Sequence, residues 1–265
     1  ADAVAARINW LVTAGPVTET PPGIVLDTTF RISFAAALLA SIYQQHFVVL
    51  HLLQPETPAY AMPMVLERSS AYSQPLMRAA LQLLVRRHAV LRTFYAVDRG
   101  SVLQVVMPAD GFVVPLEECN EANWTGMAGQ DLASPFALTK TPPIRALFMR
   151  STTLQLKSRL LVNIHHVATD FISNLIIHDE LHRICEALLQ GANPFLRPPP
   201  LQYADYATWQ LQRQSHYADV AALEWWRAKL SGAPPVLDLP LASPRPPADT
   251  APARMVDVRV EPYVA

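Results

Sequence analysis

RLLVNIHHVATDF, Arg159 to Phe171, is an apolar run closed by two adjacent histidines, with an aspartate four residues after the second. The residues up to Ile164 read as a strand, and because side chains alternate along a strand, His165 and His166 must point to opposite faces. Only one of the two faces a given cavity; the other is then buried, hydrogen-bonded and structural. Asp170 falls past a short turn, where a carboxylate either fixes the orientation of an imidazole or holds the turn through an arginine. The arrangement suits acyl transfer, which needs one positioned imidazole, and the plain alternative is a strand end carrying two ordinary histidines. A metal centre is disfavoured, since no third ligand stands at short spacing and HExxH and CxxC are both absent.

Composition narrows the remaining classes. With 265 residues, 51% hydrophobic and only 16% charged, the chain can bury a full core and reads as a globular protein of one or two domains. A formal charge of -1 and the lack of any Lys/Arg-rich run argue against a nucleic-acid partner. Two cysteines, Cys119 and Cys185, are too few for a disulfide framework, in keeping with a reducing cytoplasm. The chain starts with Ala and lacks the zones of a signal peptide, so it reads as a piece of something longer. Phe34 to Tyr43 is apolar, but Gln44, Gln45 and His46 interrupt it before Phe47 to Leu53, which leaves no membrane span and predicts a core helix.

Elsewhere helical and strand periods alternate. Ser73 with Pro75 starts a helix whose apolar stripe is Leu76, Ala80, Leu83 and Leu84. Arg92 to Val97 and Val102 to Met107 read as strands joined by a tight turn through Asp98, Arg99 and Gly100. Ile144 to Arg150, Thr153 to Lys157 and Arg159 to Ile164 are further strands, and Ile177, Leu181, Ile184 and Leu188 mark a helix that Gly191 terminates. A helical region, Tyr203 to Leu230, follows the prolines of 194–200; a Pro-rich stretch, Pro234 to Pro247, leads to a last strand at Arg254 to Val260. The fold class is α/β with a mixed sheet and packed helices.

Several segments, taken in order, resemble the condensation domain of nonribosomal peptide synthetases, of the chloramphenicol-acetyltransferase-like superfamily. SIYQQHFVVLHLL (Ser41 to Leu53) resembles the family's SxAQxRLWFL segment, with Gln44 in the glutamine place. RRHAVLRTFY (Arg86 to Tyr95) resembles RHExLRTxF, and PFALTKTPPIRALF (Pro135 to Phe148) resembles PFDLxxGPLLRAxL. HHVATDF resembles HHxxxDG, YADYATWQ (Tyr203 to Gln210) resembles YxDYAxWQ, and Trp225 to Pro247 resembles the helix and linker between the family's two lobes. The resemblance implies that residues 32–232 are an N-terminal lobe and that 233–265 are a Pro-rich linker and first strand toward a missing second lobe, with 1–31 unassigned.

It also implies a chemistry. Donor and acceptor carrier-protein domains, working beside adjacent synthetase domains, bring an acyl thioester and an amine on phosphopantetheine arms, and the amine attacks the thioester; no cofactor is bound directly. His166 is then the catalytic residue, His165 the structural one and Asp170 the orienting or salt-bridging one, with Arg92 as its expected partner. Phe171, Ser173 and Gln44 are implied as lining the substrate channel. A thioester carries its own driving force, which agrees with the absence of GxxxxGK[ST], and direct attack needs no GxSxG serine. Phe171 stands where the family has glycine and is expected to narrow the channel; Tyr43, His46 and Val48 also depart from the family pattern. An ester-forming acyltransferase of the same superfamily and a noncatalytic carrier-docking module are the alternatives.

Overall fold

The computed structural model describes residues 36–68, 72–151, 157–216, 220–235 and 240, and the chain divides into two compact units, Ala1–Tyr217 and Ala218–Ala265. In the first unit, β1 (Ala36–Leu39), β3 (Thr93–Asp98) and β4 (Ser101–Val106) form an antiparallel sheet in the order β1-β4-β3. A second sheet contains β2 (Ala61–Arg68), β5 (Leu116–Cys119), β6 (Ile144–Met149) and β7 (Ser158–His165), in the order β2-β7-β6-β5. It is mixed: β7 runs antiparallel to both neighbours, whereas β5 and β6 are parallel. The helices of this unit are α1 (Ile42–Leu53), α2 (Gln74–Arg87), α3 (Glu121–Ala133), α4 (Phe171–Leu189) and α5 (Tyr203–His216), while α6 (Val220–Lys229) lies in the second unit.

Strand β7 is apolar on both faces because helices cover both. Leu160, Val162 and Ile164 pack in one core with Leu81 and Leu84 of α2 and with Ile177, Leu181 and Ile184 of α4. Leu161, pointing the other way, packs with Leu147, Met149 and Trp124 of α3. Burying one side chain of this size is worth about 1.5–3 kcal/mol, against about 0–1 kcal/mol for an exposed ion pair, so helix packing outweighs surface charge in holding β7 in place.

Local signals set the helix ends around the site. The Ser73 hydroxyl caps α2 by accepting from the Leu76 N–H, with Pro75 in the first turn. Helix α4 stops in a Schellman motif: Gly191 has φ 64° and donates to the Leu188 carbonyl, while Ala192 donates to that of Ala187. The β3–β4 hairpin turns through Arg99 (φ 47°) and Gly100 (φ 80°), and the paired positive φ values suit the strands' right-handed twist.

Some expectations are corrected. The apolar stretch expected as one core helix through Leu53 is strand β1 followed by helix α1, because Ser41 and Gln44 form a reciprocal capping box that starts a helix between them. The helical region expected from Tyr203 to Leu230 contains two helices, α5 and α6. Strand β2 has no counterpart among the expected elements; Pro63 lacks a ladder donor and is tolerated there because β2 is an edge strand. Most of the strand expected at 153–157, and all of that at 254–260, lie outside the described residues.

Candidate active site

Strand β7 hands the chain to a turn pinned to the neighbouring strand starts: the His165 N–H donates to the Pro143 carbonyl and the His166 N–H to that of Tyr60, while inside the turn the Ala168 N–H donates to the His165 carbonyl, at 2.8 to 3.0 Å. His165 points into the core, 6% exposed, and its Nδ1 accepts the Val167 N–H at 2.9 Å. Phe47, Tyr60 and Phe136 surround the ring at centroid distances of 5.6, 5.8 and 5.7 Å. Burial in this aromatic cage, with smaller contributions from His51 and His166, pushes its pKa down to about 3, so the ring is neutral and structural.

His166 points the other way and lines a cavity of about 230 Å³. Its Nδ1 lies 2.8 Å from the Thr169 carbonyl oxygen. A carbonyl only accepts, so Nδ1 carries a hydrogen, and in the neutral tautomer that this fixes Nε2 keeps the lone pair. Phe47 stacks on the ring at 5.3 Å and 26°, and Tyr43 meets it edge-on at 6.0 Å. Thr169 is itself fixed, buried with its hydroxyl donating to Asn174 Oδ1 at 2.7 Å. One ring nitrogen is held, the ring plane is clamped, and the second nitrogen is left to meet a proton donor.

Asp170 does a different job from the two expected of it. It is the N-cap of α4, its Oδ1 accepting the Ser173 N–H at 2.7 Å. Hydrogen bonding from Ser173, through its side chain first and then its backbone, holds the carboxyl below the usual carboxylate range. The expected pair with Arg92 does not form: among the described residues the Arg92 Nε and Nη1 atoms are buried without a hydrogen-bond partner, and burial lowers the guanidinium's pKa. The physical reason is local, since the N-cap geometry turns the Asp170 carboxylate onto the first turn of its own helix.

The channel candidates separate. Ser173 lines the cavity beside Asp170. Gln44 does not: it is fully buried, closes the α1 capping box and donates from Nε2 to the Tyr95 hydroxyl at 3.1 Å. Phe171 is 69% exposed on the first turn of α4 and is not among the cavity's lining residues, so it does not narrow this cavity as expected.

Among the lining side chains to which the sequence assigned no role are three polar rings, Tyr43, His88 and Tyr203. The Tyr203 hydroxyl lies 3.0 Å from the Ser41 hydroxyl, which ties the start of α5 to the cap of α1. All three stand inside segments that resemble the family pattern, but nothing in their local spacing shows that these segments converge.

The chain matches the family described as Condensation domain over residues 36–264. A subunit of the linear gramicidin synthase of Brevibacillus parabrevis is 32% identical over 80% of this chain, which spans 4% of that protein. Phosphinothricin tripeptide synthetase PhsC of Streptomyces viridochromogenes is 32% identical over 91% of this chain, which spans 22% of it. Among solved structures, the X-domain from teicoplanin biosynthesis superposes with a TM-score of 0.67 at 24% identity, over 78% of this chain and 46% of that one. The first condensation domain of the calcium-dependent antibiotic synthetase, in complex with a substrate analogue, gives 0.64 at 16% identity, over 75% of this chain and 48% of that one. These likenesses identify the chloramphenicol-acetyltransferase-like fold, and the chain spans only part of the proteins it matches. A histidine turn between β7 and α4, on that fold and within a family match covering most of the sequence, places the chain in the condensation domain family of nonribosomal peptide synthetases.

Proposed function

We propose that this chain is the N-terminal lobe of an amide-forming condensation domain, residues 32–232, followed by the inter-lobe linker at 233–265. A carrier-bound amine attacks the carbonyl carbon of a carrier-bound acyl thioester. The C–N bond forms, the C–S bond breaks, and the departing sulfur takes up the proton that the amine gives up. His166 Nε2 accepts that amine hydrogen, either holding the lone pair in line or carrying the proton toward the sulfur. The observation that carries this reading is the Nδ1 contact to the Thr169 carbonyl, which leaves Nε2 as the acceptor on a ring that lines the cavity. His165 supports the turn from the core, and Asp170 sets the start of α4 beneath the cavity. A positioned acid–base group is worth about 10² to 10⁴ in rate, and holding two tethered reactants together contributes on its own account, so loss of His166 leaves residual turnover.

The test is amide formation by the intact parent protein with loaded donor and acceptor carriers, native against His166→Ala. A fall of about 10²-fold or more with unchanged donor-carrier binding is expected. Equal rates in the two proteins remove His166 from the reaction. A second reading, a docking module, draws on a further solved relative, a complex of the teicoplanin X-domain with the protein OxyB that superposes with a TM-score of 0.69. Carrier binding without turnover in the native parent, across a broad substrate panel, selects that reading.

A further inference from the structure

A second imidazole lines the cavity of His166. His88 is the C-cap of α2, and its Nε2 lies 2.6 Å from Oε2 of Glu180 on α4. Glu180 is 6% exposed, and its other oxygen, Oε1, accepts from Arg87 Nε at 2.8 Å. A buried carboxylate is costly unless paired, and here two consecutive residues at the end of α2 serve its two oxygens. Carboxylate oxygens accept, so His88 Nε2 carries a hydrogen, and in the neutral tautomer that this fixes Nδ1 keeps the lone pair. That Nδ1 has no hydrogen-bond partner among the described residues. The arrangement parallels that of His166: each ring has one nitrogen fixed by a buried or backbone oxygen and the other unoccupied.

We propose that His88 is a substrate-positioning residue, its Nδ1 accepting a hydrogen bond from an N–H or O–H of the amine-bearing substrate in the cavity, while Glu180 and Arg87 hold the ring. This rests on the reaction proposed above. A purely structural role, in which His88 only joins α2 to α4 through Glu180, is the competing account, and a glutamine substitution separates the two. The glutamine side chain keeps an N–H near the ε position for Glu180 and lacks the acceptor at the δ position.

The experiment uses the intact parent, with amide formation measured over a range of acceptor-carrier concentrations for native protein, His88→Gln and His166→Ala. His88→Gln is expected to keep the native thermal midpoint, to raise KM for the amine-bearing carrier about tenfold and to leave kcat near native. A native KM in His88→Gln alongside an impaired His166→Ala overturns the inference and leaves the proposed function standing. Native rates in both variants overturn the two together. Should His88→Gln lose its fold, His88→Asn decides, because it retains an acceptor at the δ position and gives up Glu180. A native KM in His88→Asn then supports the inference, and a KM raised as far as in His88→Ala overturns it.

Discussion

His165 and His166 are neighbours in sequence with opposite surroundings, and the difference has a pH signature. The pKa of the buried His165 is about 3, against an ordinary value of 6.5. Above about 6.5 the ring is neutral in both the folded and the unfolded chain, and its contribution to stability is fully present. As pH falls below that, the unfolded chain takes up the proton first, and stability is lost at up to about 1.4 kcal/mol per pH unit down toward the folded value. Urea unfolding at pH 7 and pH 5 is therefore expected to show a larger loss for the native chain than for His165→Asn, which keeps an acceptor for the Val167 N–H but does not titrate. Equal losses in the two proteins reject this account of the ring. The opposed directions of these two side chains were legible from strand alternation alone. What sequence could not show was the aromatic cage, because Phe47, Tyr60 and Phe136 come from three separate segments.

Helix α4 begins at the aspartate that the motif puts beside the histidines, and the helix explains that residue better than the imidazole does. An N-cap aspartate replaced by alanine costs about 0.5–2 kcal/mol, whereas asparagine caps about as well. Asp170→Ala is expected to lower the stability of the chain by about 1 kcal/mol and Asp170→Asn to leave it near native, both read from denaturant midpoints. If Asp170→Asn is as damaging as Asp170→Ala, charge rather than capping is what the site requires. Spacing announced the acid but not its use, since a cap is decided by competition for the nearest backbone N–H groups. The elements most legible in sequence were those with strong local punctuation: Ser73 and Pro75 before α2, Gly100 in the hairpin, Gly191 after α4. Strand β2 was illegible because Pro63 and the charged end at Glu67 and Arg68 dilute its alternation, and strand β1 because four small and aliphatic residues, Ala36–Leu39, look the same in helix and strand.

In the first unit, Phe171, Ile172, Leu175 and Ile176 form an exposed apolar stripe on the first turns of α4, each 49 to 69% exposed, next to the cavity that Ile176 also lines. Apolar stripes of this kind mark surfaces that bind something. The chain expressed by itself is expected to self-associate at micromolar concentration in sedimentation velocity, and Ile172→Glu with Leu175→Glu to hold it monomeric. A monomeric native chain would show the stripe to be tolerated in water as it stands. At this scale the order of the segments made the fold legible, whereas the convergence of His88, His166 and Tyr203 on one cavity was not, since no local pattern encodes contacts between distant stretches. The turn from His165 to Thr169 carries one more consequence. One nitrogen of each ring is tied to that turn's own backbone, His165 to the Val167 N–H and His166 to the Thr169 carbonyl, but Phe47 touches both rings from α1. A single side chain outside the turn thus couples the two imidazoles, so a change at Phe47 disturbs the structural and the cavity-facing histidine together.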